Sequence, residues 1–129
     1  MTVNLDTIGI NRNESILKIA NVNPVYATED EKISKVADKI VSSKHRRIPI
    51  VNKKEEVVGL ITTMDILDAF LRRANFNDKI SEIMIREVIT ASSEDTISSV
   101  LQRLKVSRRG GFPVVRLKRL VAIISERDF

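Results

Sequence analysis

The stretch IPIV at residues 48–51 recurs 64 positions later as FPVV at residues 112–115. Beyond these stretches the offset falls to 63, and the segment Thr62–Asp65 aligns with Ser125–Asp128. The change is what a shorter hairpin turn in the second copy would produce, because turns tolerate the loss of a residue. Ordered matches over this distance indicate a tandem duplication. We assign the first copy to residues 14–74 and the second to residues 75–129.

Each copy has the pattern of a β-α-β-β-α unit, which predicts an α+β fold. β-prone runs at residues 25–27 and 88–91 are followed by apolar residues at helical spacing and then by two further strands. Short helical segments are predicted before the first strand of each copy, at residues 14–20 and 79–84. The last helix should begin near Thr62 in the first copy. In the second copy that helix is missing, because the sequence stops at Phe129. Either the chain is a fragment, or the gene ends here, or another subunit covers the gap, and we favour a fragment of a longer protein.

Two details of this pattern are more specific. Thr28 with Glu31 has the capping-box spacing, which predicts that the first long helix starts there, and Ser92 with Asp95 is the counterpart. Proline cannot donate to a β-ladder, so the strands that contain Pro49 and Pro113 are expected at a sheet edge, or with the proline at the strand's start.

Composition excludes several kinds of site. The 129 residues contain no Cys and one His, so a disulfide framework, a thiolate site and the usual zinc sites are excluded. The apolar runs are far shorter than the roughly 20 residues that span a bilayer, and the N-terminus, with Asn4 and Asp6, lacks the apolar core of a signal peptide. These features predict a soluble cytoplasmic protein without membrane association. The net charge of +5 suits partners that carry phosphate, either small nucleotides or nucleic acid.

The segments Thr62–Asp65 and Ser125–Asp128 are the candidate binding elements. In each, a buried strand ends at a hydroxyl residue that starts a helix, and a carboxylate stands three residues later. A helix start can bind phosphate through its backbone N–H groups, and the carboxylate can accept hydrogen bonds from ribose hydroxyls. The alternative is an ordinary capping box, which stabilises a helix by about 1 kcal/mol without any ligand.

The doubled pattern of apolar-Pro-apolar strand and Gly-apolar-apolar-Thr/Ser-x-x-Asp resembles a pair of CBS domains, the Bateman module. The resemblance extends from about residue 14 to residue 129 and implies two repeats that pack with pseudo-twofold symmetry. It also implies two ligand clefts between the repeats, in which the Asp binds ribose, the Thr or Ser contacts phosphate, and the first strand of the partner repeat lines the adenine. One cleft would use Thr62, Asp65, Ile89, Thr90 and Ala91, and the other Ser125, Arg127, Asp128, Val25, Tyr26 and Ala27.

Departures from the family pattern make the two clefts unequal. Basic residues before the proline often contact phosphate in this family, which assigns that role to Arg46 and Arg47, whereas Gly110 and Gly111 stand at the matching positions. Arg127 adds positive charge to the cleft that contains Ser125 and Asp128. Tyr26 stands where the family often has a small hydroxyl residue, and it could either block the cleft or stack on a base. The resemblance thus predicts unequal occupancy.

By its resemblance to AMP-activated kinase gamma-like subunits and to stand-alone CBS proteins, the chain is expected to be a regulatory, energy-sensing module rather than an enzyme. The expected ligands are AMP, ADP, ATP or S-adenosylmethionine, and the family implies a homodimer formed through the helices after the motif. Two alternatives are nucleic-acid binding through the basic second half and a purely structural module with degenerate clefts. Because only 4% of the residues are aromatic, few side chains are available to stack on the bases of a nucleic acid.

Overall fold

The computed structural model describes residues 11–128. Phe129 and the polar N-terminal residues Asn4 and Asp6 lie outside this range. The helices are α1 (Ile33–Ser43), α2 (Thr63–Leu71) and α3 (Ile97–Ser107). The strands are β1 (Ala27–Thr28), β2 (Arg47–Val51), β3 (Val57–Thr62), β4 (Ala91–Ser92), β5 (Gly111–Arg116) and β6 (Arg119–Ser125). Short 3₁₀ helices occupy Ile16–Lys18, Ile80–Glu82 and Glu126–Asp128.

Two three-stranded sheets with the same topology confirm the predicted α+β repeat. In the order β1-β2-β3 the first pair is parallel and the second antiparallel, and β4-β5-β6 repeats this arrangement. The parallel connections run through α1 and α3, as a parallel pair requires a long crossover. Where α2 follows β3, the second repeat has only the 3₁₀ turn Glu126–Asp128 before the described chain ends.

The proline strands are central, so the prediction of edge strands was wrong. Pro49 pairs with Leu60 of β3, whose own N–H and C=O bond outward to Ile85 at 2.9 and 2.8 Å. This is therefore a non-hydrogen-bonded pair, and the nitrogen of Pro49 points towards the β1 side. The ladder with β1 begins one residue later, at Ala27 with Ile50. The central strand therefore accommodates proline at a position where no ladder bond is lost, and Pro113 has the matching position opposite Ile123.

The long helices begin later than predicted. Thr28 N–H donates to Glu31 Oε2 at 2.6 Å, and Ser92 N–H donates to Asp95 Oδ2 at 2.8 Å, but both bonds close turns that precede the helices. α1 starts at Ile33, and its first amide groups donate to backbone carbonyls of the segment that follows α2, including that of Asp78 at 2.9 Å. These carbonyls satisfy donors that a helix start leaves unpaired, so no side-chain cap is needed at residue 32.

The chain forms two compact units, and in each unit the segment before the first strand comes from the other repeat. Among the described residues, one unit contains 25–88 and the other contains 11–24 with 89–128. Ile80 packs in the core with β2 and α1, and Ile16 packs in the core with β5 and α3. The compact units therefore do not follow the order of the duplicated segments along the sequence, and the boundaries at 14–74 and 75–129 remain a prediction.

The apolar stripes predicted from helical spacing form the core of each unit only in part. Ile33, Val36 and Ile40 of α1 are buried against β2 and β3, as are Ile97, Val100 and Leu104 of α3 against β5 and β6. Val41 and Leu101, which the spacing places with them, are exposed. The buried stripe is thus narrower than the sequence pattern.

The position of Gly59 requires a small residue, because it packs against Met84 and Ile85. A Cβ at this position would meet the side chain of Met84, with Cγ at 2.9 Å, and the backbone oxygen of Ile85 at 3.1 Å. The matching positions in the other unit are Ala122 and Ala20, both in or against its core. Each unit therefore combines complementary volumes, Gly with Met in one and Ala with Ala in the other.

The substitution Gly59→Ala should lower the free energy of unfolding by about 1–3 kcal/mol, because it overfills a packed site. Adding Met84→Ala recreates the pair found in the other unit, so the double variant should lose less stability than the two single losses combined. Urea denaturation of the three variants measures this coupling. Strictly additive losses would contradict the packing account.

The hairpin tips explain the change of offset between the repeats, because the turn between the paired residues 51 and 57 is one residue longer than that between the paired residues 115 and 120. β5 and β6 pair up to Arg116 with Arg119, so their loop contains two residues, Leu117 and Lys118, with φ of 51° and 70°. Two consecutive positive φ angles are the requirement of a type I′ turn, which favours Asn-Gly. Leu117 and Lys118 are poorly suited to it, because left-handed backbone costs a side-chain-bearing residue about 1–2 kcal/mol.

Replacing Leu117 and Lys118 with Asn and Gly should raise the free energy of unfolding by about 1–2 kcal/mol. The denaturation midpoint in urea reports the gain. The control is Lys53→Gly at the other hairpin tip, where φ is not positive, and it should give no increase. A double variant no more stable than the wild type would show that the turn carries little strain.

Candidate functional site

Thr62 and Asp65 form a reciprocal capping box at the start of α2. Asp65 Oδ2 accepts from the Thr62 N–H at 2.9 Å and from its hydroxyl at 2.8 Å, and Asp65 N–H donates to Thr62 Oγ1 at 3.2 Å. The carboxylate is half-buried and held in one orientation. Its other oxygen, Oδ1, accepts no hydrogen bond from any of residues 11–128. The capping role is therefore real, and it leaves one carboxylate oxygen for an outside donor.

The backbone donors at the start of α2 are less available than the sequence suggests. Thr63 N–H donates to the carbonyl of Arg46 at 2.9 Å, and Asp65 N–H is used by the capping box. Two of the amide groups that could bind phosphate at this helix start are already satisfied. Any phosphate here would depend on side chains more than on the helix terminus.

Arg46 and Arg47 adjoin the Thr62–Asp65 turn within the same unit. Arg47 pairs with Thr62 in the β2–β3 register, and the Arg46 carbonyl also accepts from the Thr63 hydroxyl at 3.3 Å. The Arg46 side chain is exposed. This turn therefore combines a carboxylate acceptor with two neighbouring cations.

Ser125–Asp128 repeats the bonding of the first turn with a different charge environment. Asp128 Oδ2 accepts from the Ser125 N–H at 2.8 Å and from its hydroxyl at 3.4 Å. Gly111 pairs with Ser125, and the Gly110 carbonyl accepts from Glu126 N–H at 3.0 Å. Glycines thus stand where the first unit has Arg46 and Arg47, and the exposed Arg127 is the cation within this turn.

The predicted adenine-lining residues lie on the opposite flank of each sheet from the capping turns of the same unit. β2 separates β1 from β3, and β5 separates β4 from β6. Ala27 and Ala91 are buried, whereas the Tyr26 side chain is 44% exposed. Within a unit, the structure brings Arg46 and Arg47 together with Thr62 and Asp65. Residues 25–27, which the sequence analysis assigned to the other turn, lie on the opposite flank of the same sheet.

A cation beside each first strand was missed by the sequence analysis. Lys39 of α1 donates to the carbonyl of Tyr26 at 3.1 Å and forms an ion pair with Glu31 at 2.8 Å. Arg103 of α3 donates to the carbonyl of Thr90 at 3.1 Å and pairs with Asp95 at 3.0 Å. The repeat offset of 64 aligns both cations and both carboxylates, and that alignment is the signal that could have identified them.

The environment of Glu31 keeps its carboxyl ionised. Burial raises the pKa, but the hydrogen bond from Lys39, the bond from Thr28 N–H and the charges of Lys39 and Lys35 outweigh burial and hold the pKa of Glu31 below its ordinary value. The stability that this pair contributes is present above the ordinary pKa of glutamate. It is lost as the pH falls through the lowered value of the folded state.

Metal sites and membrane spans were also sought in the described part of the chain. Residues 11–128 contain no group of three or more His, Cys, Asp or Glu side chains arranged to hold a metal ion. The helices of this range are too short or too polar for any of them to span a bilayer.

Relatives of the chain extend well beyond the matched region. It is 30% identical over 120 residues to the uncharacterized protein MJ1225 of Methanocaldococcus jannaschii, covering 91% of this chain and 42% of that protein. It is 29% identical over 136 residues to the L-aspartate semialdehyde sulfurtransferase of the same organism, covering 99% of this chain and 26% of that enzyme. The chain thus spans less than half the length of these relatives.

Solved structures share the fold over nearly the whole chain. The CBS domain pair of protein MJ0100, in complex with 5′-methylthioadenosine and S-adenosyl-L-methionine, superposes with a TM-score of 0.78 at 28% identity and covers 89% of this chain and 91% of that one. The crystal structure of MJ1225 gives a TM-score of 0.78 at 30% identity, over 96% of this chain and 48% of that one.

The family model of the CBS domain matches residues 16–72 and 80–129 of the sequence. Each match contains one proline strand and one capping turn, and together they account for both repeats. The chain therefore belongs to the CBS-domain family and carries a tandem pair of these domains.

Proposed function

We propose that this chain is a regulatory module that binds an adenosine-containing ligand through the capping turns of Asp65 and Asp128. The observation that carries the proposal is the repeated turn, in which a carboxylate is fixed by its own capping hydroxyl and backbone. A preorganised acceptor of this kind suits the hydroxyls of a ribose, because little ordering is left to the moment of binding. The 28%-identical CBS pair in complex with 5′-methylthioadenosine and S-adenosyl-L-methionine supports the same ligand class.

The two turns favour different ligands. Arg46 and Arg47 adjoin Asp65, which supports AMP, ADP or ATP at that turn, since arginine pairs well with phosphate. Glycines adjoin Asp128, and a ligand with less negative charge, such as S-adenosylmethionine, suits that turn better. Arg127 remains the candidate phosphate contact there. Unequal affinity for a phosphate-bearing ligand is the expected consequence.

Self-association would complete the regulatory module. Four apolar side chains of α2, those of Met64, Leu67, Phe70 and Leu71, are exposed and lie within about 120° of the helix circumference. An apolar stripe of this kind on a surface helix is typical of an interaction site. We infer that a second copy of the chain covers it, and that ligand binding regulates a partner through this homodimer.

A thermal-shift panel tests the ligand class. Adenosine, 5′-methylthioadenosine, S-adenosylmethionine, AMP, ADP and ATP are compared with CMP, which keeps ribose and phosphate but lacks adenine. A ligand at 100 times its dissociation constant stabilises the folded state by about 2.7 kcal/mol, so at least one adenosyl ligand should raise the melting temperature and CMP should not. No shift with any adenosyl ligand contradicts the proposal. Binding of DNA or RNA with a steep salt dependence would favour the nucleic-acid alternative instead.

A further inference from the structure

The strand that precedes α1 is held at two backbone atoms by one ion pair. Lys39 Nζ donates to the carbonyl of Tyr26 at 3.1 Å, while Glu31 Oε2 accepts from the N–H of Thr28 at 2.6 Å. Lys39 and Glu31 are themselves joined at 2.8 Å, and their side chains are only 33% and 13% exposed. The pair thus bonds to the main chain on both sides of Ala27.

The second unit has the same arrangement built from different side chains. Arg103 Nη1 donates to the carbonyl of Thr90 at 3.1 Å, and Asp95 Oδ2 accepts from the N–H of Ser92 at 2.8 Å. Arg103 and Asp95 are joined at 3.0 Å. The bonds therefore enclose Ala91 as those of the first unit enclose Ala27. We call each cation–carboxylate pair, Lys39–Glu31 and Arg103–Asp95, a strand clamp.

The clamps matter because the strands they hold are short. β1 and β4 are two residues long, and each pairs with one neighbouring strand through two residue pairs. A ladder of that length leaves the preceding residue, Tyr26 or Thr90, without a sheet partner of its own. Hydrogen bonds from a charged donor are stronger than neutral ones. The bond from the clamp's cation therefore contributes much of the interaction that fixes the carbonyl of that residue.

We propose that Lys39–Glu31 and Arg103–Asp95 are positioning pairs that hold Tyr26 and Thr90 in place for ligand binding. This inference rests on the proposed function and on the expectation from the sequence that the segments Val25–Ala27 and Ile89–Ala91 line the adenine of the ligand. The clamps hold these segments through the backbone and leave the side chains of Tyr26 and Thr90 free to differ. Ligand preference can therefore change at the side chain while the main-chain position stays fixed.

Tyr26 supplies its own reporter. The chain contains one Tyr and no Trp, so its intrinsic fluorescence comes from the residue that the Lys39–Glu31 clamp positions. Collisional quenching by acrylamide reports the accessibility of Tyr26 without ligand. Titration with the adenosyl ligand active in the thermal-shift panel, followed by the same fluorescence, reports binding near Tyr26.

The variant Lys39→Met should raise the acrylamide quenching constant of Tyr26 about twofold and weaken the ligand affinity measured at Tyr26 about tenfold, the scale of one lost charge-assisted hydrogen bond. Lys39→Arg, which imitates the pair of the other unit, should restore both values towards wild type. Lys105→Met removes the same charge from α3, where the exposed Lys105 has no hydrogen bond or ion pair to a strand among residues 11–128, and both values should stay unchanged. Urea denaturation of each variant separates these local effects from a general loss of stability.

The outcomes separate the clamp from the ligand site. Increased quenching with weakened affinity in Lys39→Met, restored in Lys39→Arg, supports the proposal. Unchanged quenching in Lys39→Met overturns it, because the clamp would then not hold Tyr26. Increased quenching with unchanged affinity also overturns it, since the position of Tyr26 would not matter to the ligand. A wild-type chain that binds no adenosyl ligand overturns the proposed function and the ligand role of the clamps together, whereas the quenching measurement still reports whether Lys39 fixes the strand.

Discussion

The substitution Asp65→Ala should weaken adenosyl-ligand binding at its turn by about 10- to 100-fold, the scale of losing hydrogen bonds to a charged acceptor. Oδ2 of Asp65 is held by Thr62, and we propose that Oδ1 accepts from a ribose hydroxyl. Asp128→Ala should have the corresponding effect at the other turn. Isothermal titration calorimetry of both single variants measures the two sites separately.

Loss of the capping box must be distinguished from loss of the ligand contact. Asp65→Ala also removes two bonds to Thr62, which should lower the free energy of unfolding by about 1 kcal/mol. Asp65→Asn keeps one acceptor oxygen and the side-chain shape, so it should retain more of the stability than Asp65→Ala while still weakening binding. Asp68→Ala is the matched control, because Asp68 lies on the same helix and its side chain is 76% exposed. Asp65→Ala with wild-type affinity would leave the turn as a capping box alone.

The double variant Phe70→Ser with Leu71→Ser should convert the proposed dimer to a monomer. Both side chains are exposed, at 68% and 78%, so the change should leave the stability of the unit nearly unchanged, as is usual for surface positions. Burial of two large apolar side chains contributes about 1.5–3 kcal/mol each, enough to shift a dissociation constant by a factor of ten or more. Light scattering after size-exclusion chromatography measures the mass of each species.

Leu117→Ser provides the comparison for this surface. Leu117 is 90% exposed at a hairpin tip of the other unit, so its replacement removes exposed apolar area without touching α2. The dimer should persist in this variant. A wild-type chain that is monomeric at every concentration, or a double variant of α2 that remains dimeric, would contradict the assignment of the α2 face to a second copy.

The repeated unit could be predicted from the sequence because its signals are local. The proline strands, the hairpins and the capping turn at Thr62 depend on neighbouring residues and on their recurrence at a fixed offset. The packing of residues 11–24 with the second sheet, and of residues 79–88 with the first, could not be predicted in the same way. It depends on non-local packing of Ile16 and Ile80, and nothing in the short segments themselves distinguishes one core from the other.

Local signals also led to two wrong expectations, each for a physical reason. The spacing of Thr28 and Glu31 suits a helix cap, but the same bond closes a turn before α1. Pro49 was expected at an edge because it lacks a donor, yet its nitrogen lies just beyond the two-residue ladder with β1. The turn before α1 and the central place of Pro49 both depend on the strand β1. No local sequence pattern revealed the short length of this strand or its pairing.

The residues of the candidate site could be predicted from the sequence, whereas the cations that hold the neighbouring strands in place could not. The reciprocal bonds of Thr62 with Asp65 follow from the capping spacing, and the proximity of Arg46 to that turn follows from the hairpin register. Lys39 and Arg103 were not identified, because a cation on a helix usually faces solvent. Their role depends on the carbonyls of Tyr26 and Thr90, which a sequence pattern does not display.

The binding of an adenosine-containing ligand is the central claim, and isothermal titration calorimetry of the wild-type chain tests it most directly. The chain is titrated with S-adenosylmethionine, 5′-methylthioadenosine, AMP, ADP and ATP, and the double variant Asp65→Ala with Asp128→Ala is titrated with whichever ligand binds. The account predicts saturable heat with at least one of these ligands and its loss in the double variant. No heat from any adenosyl ligand, or equal affinity in the double variant, would contradict it.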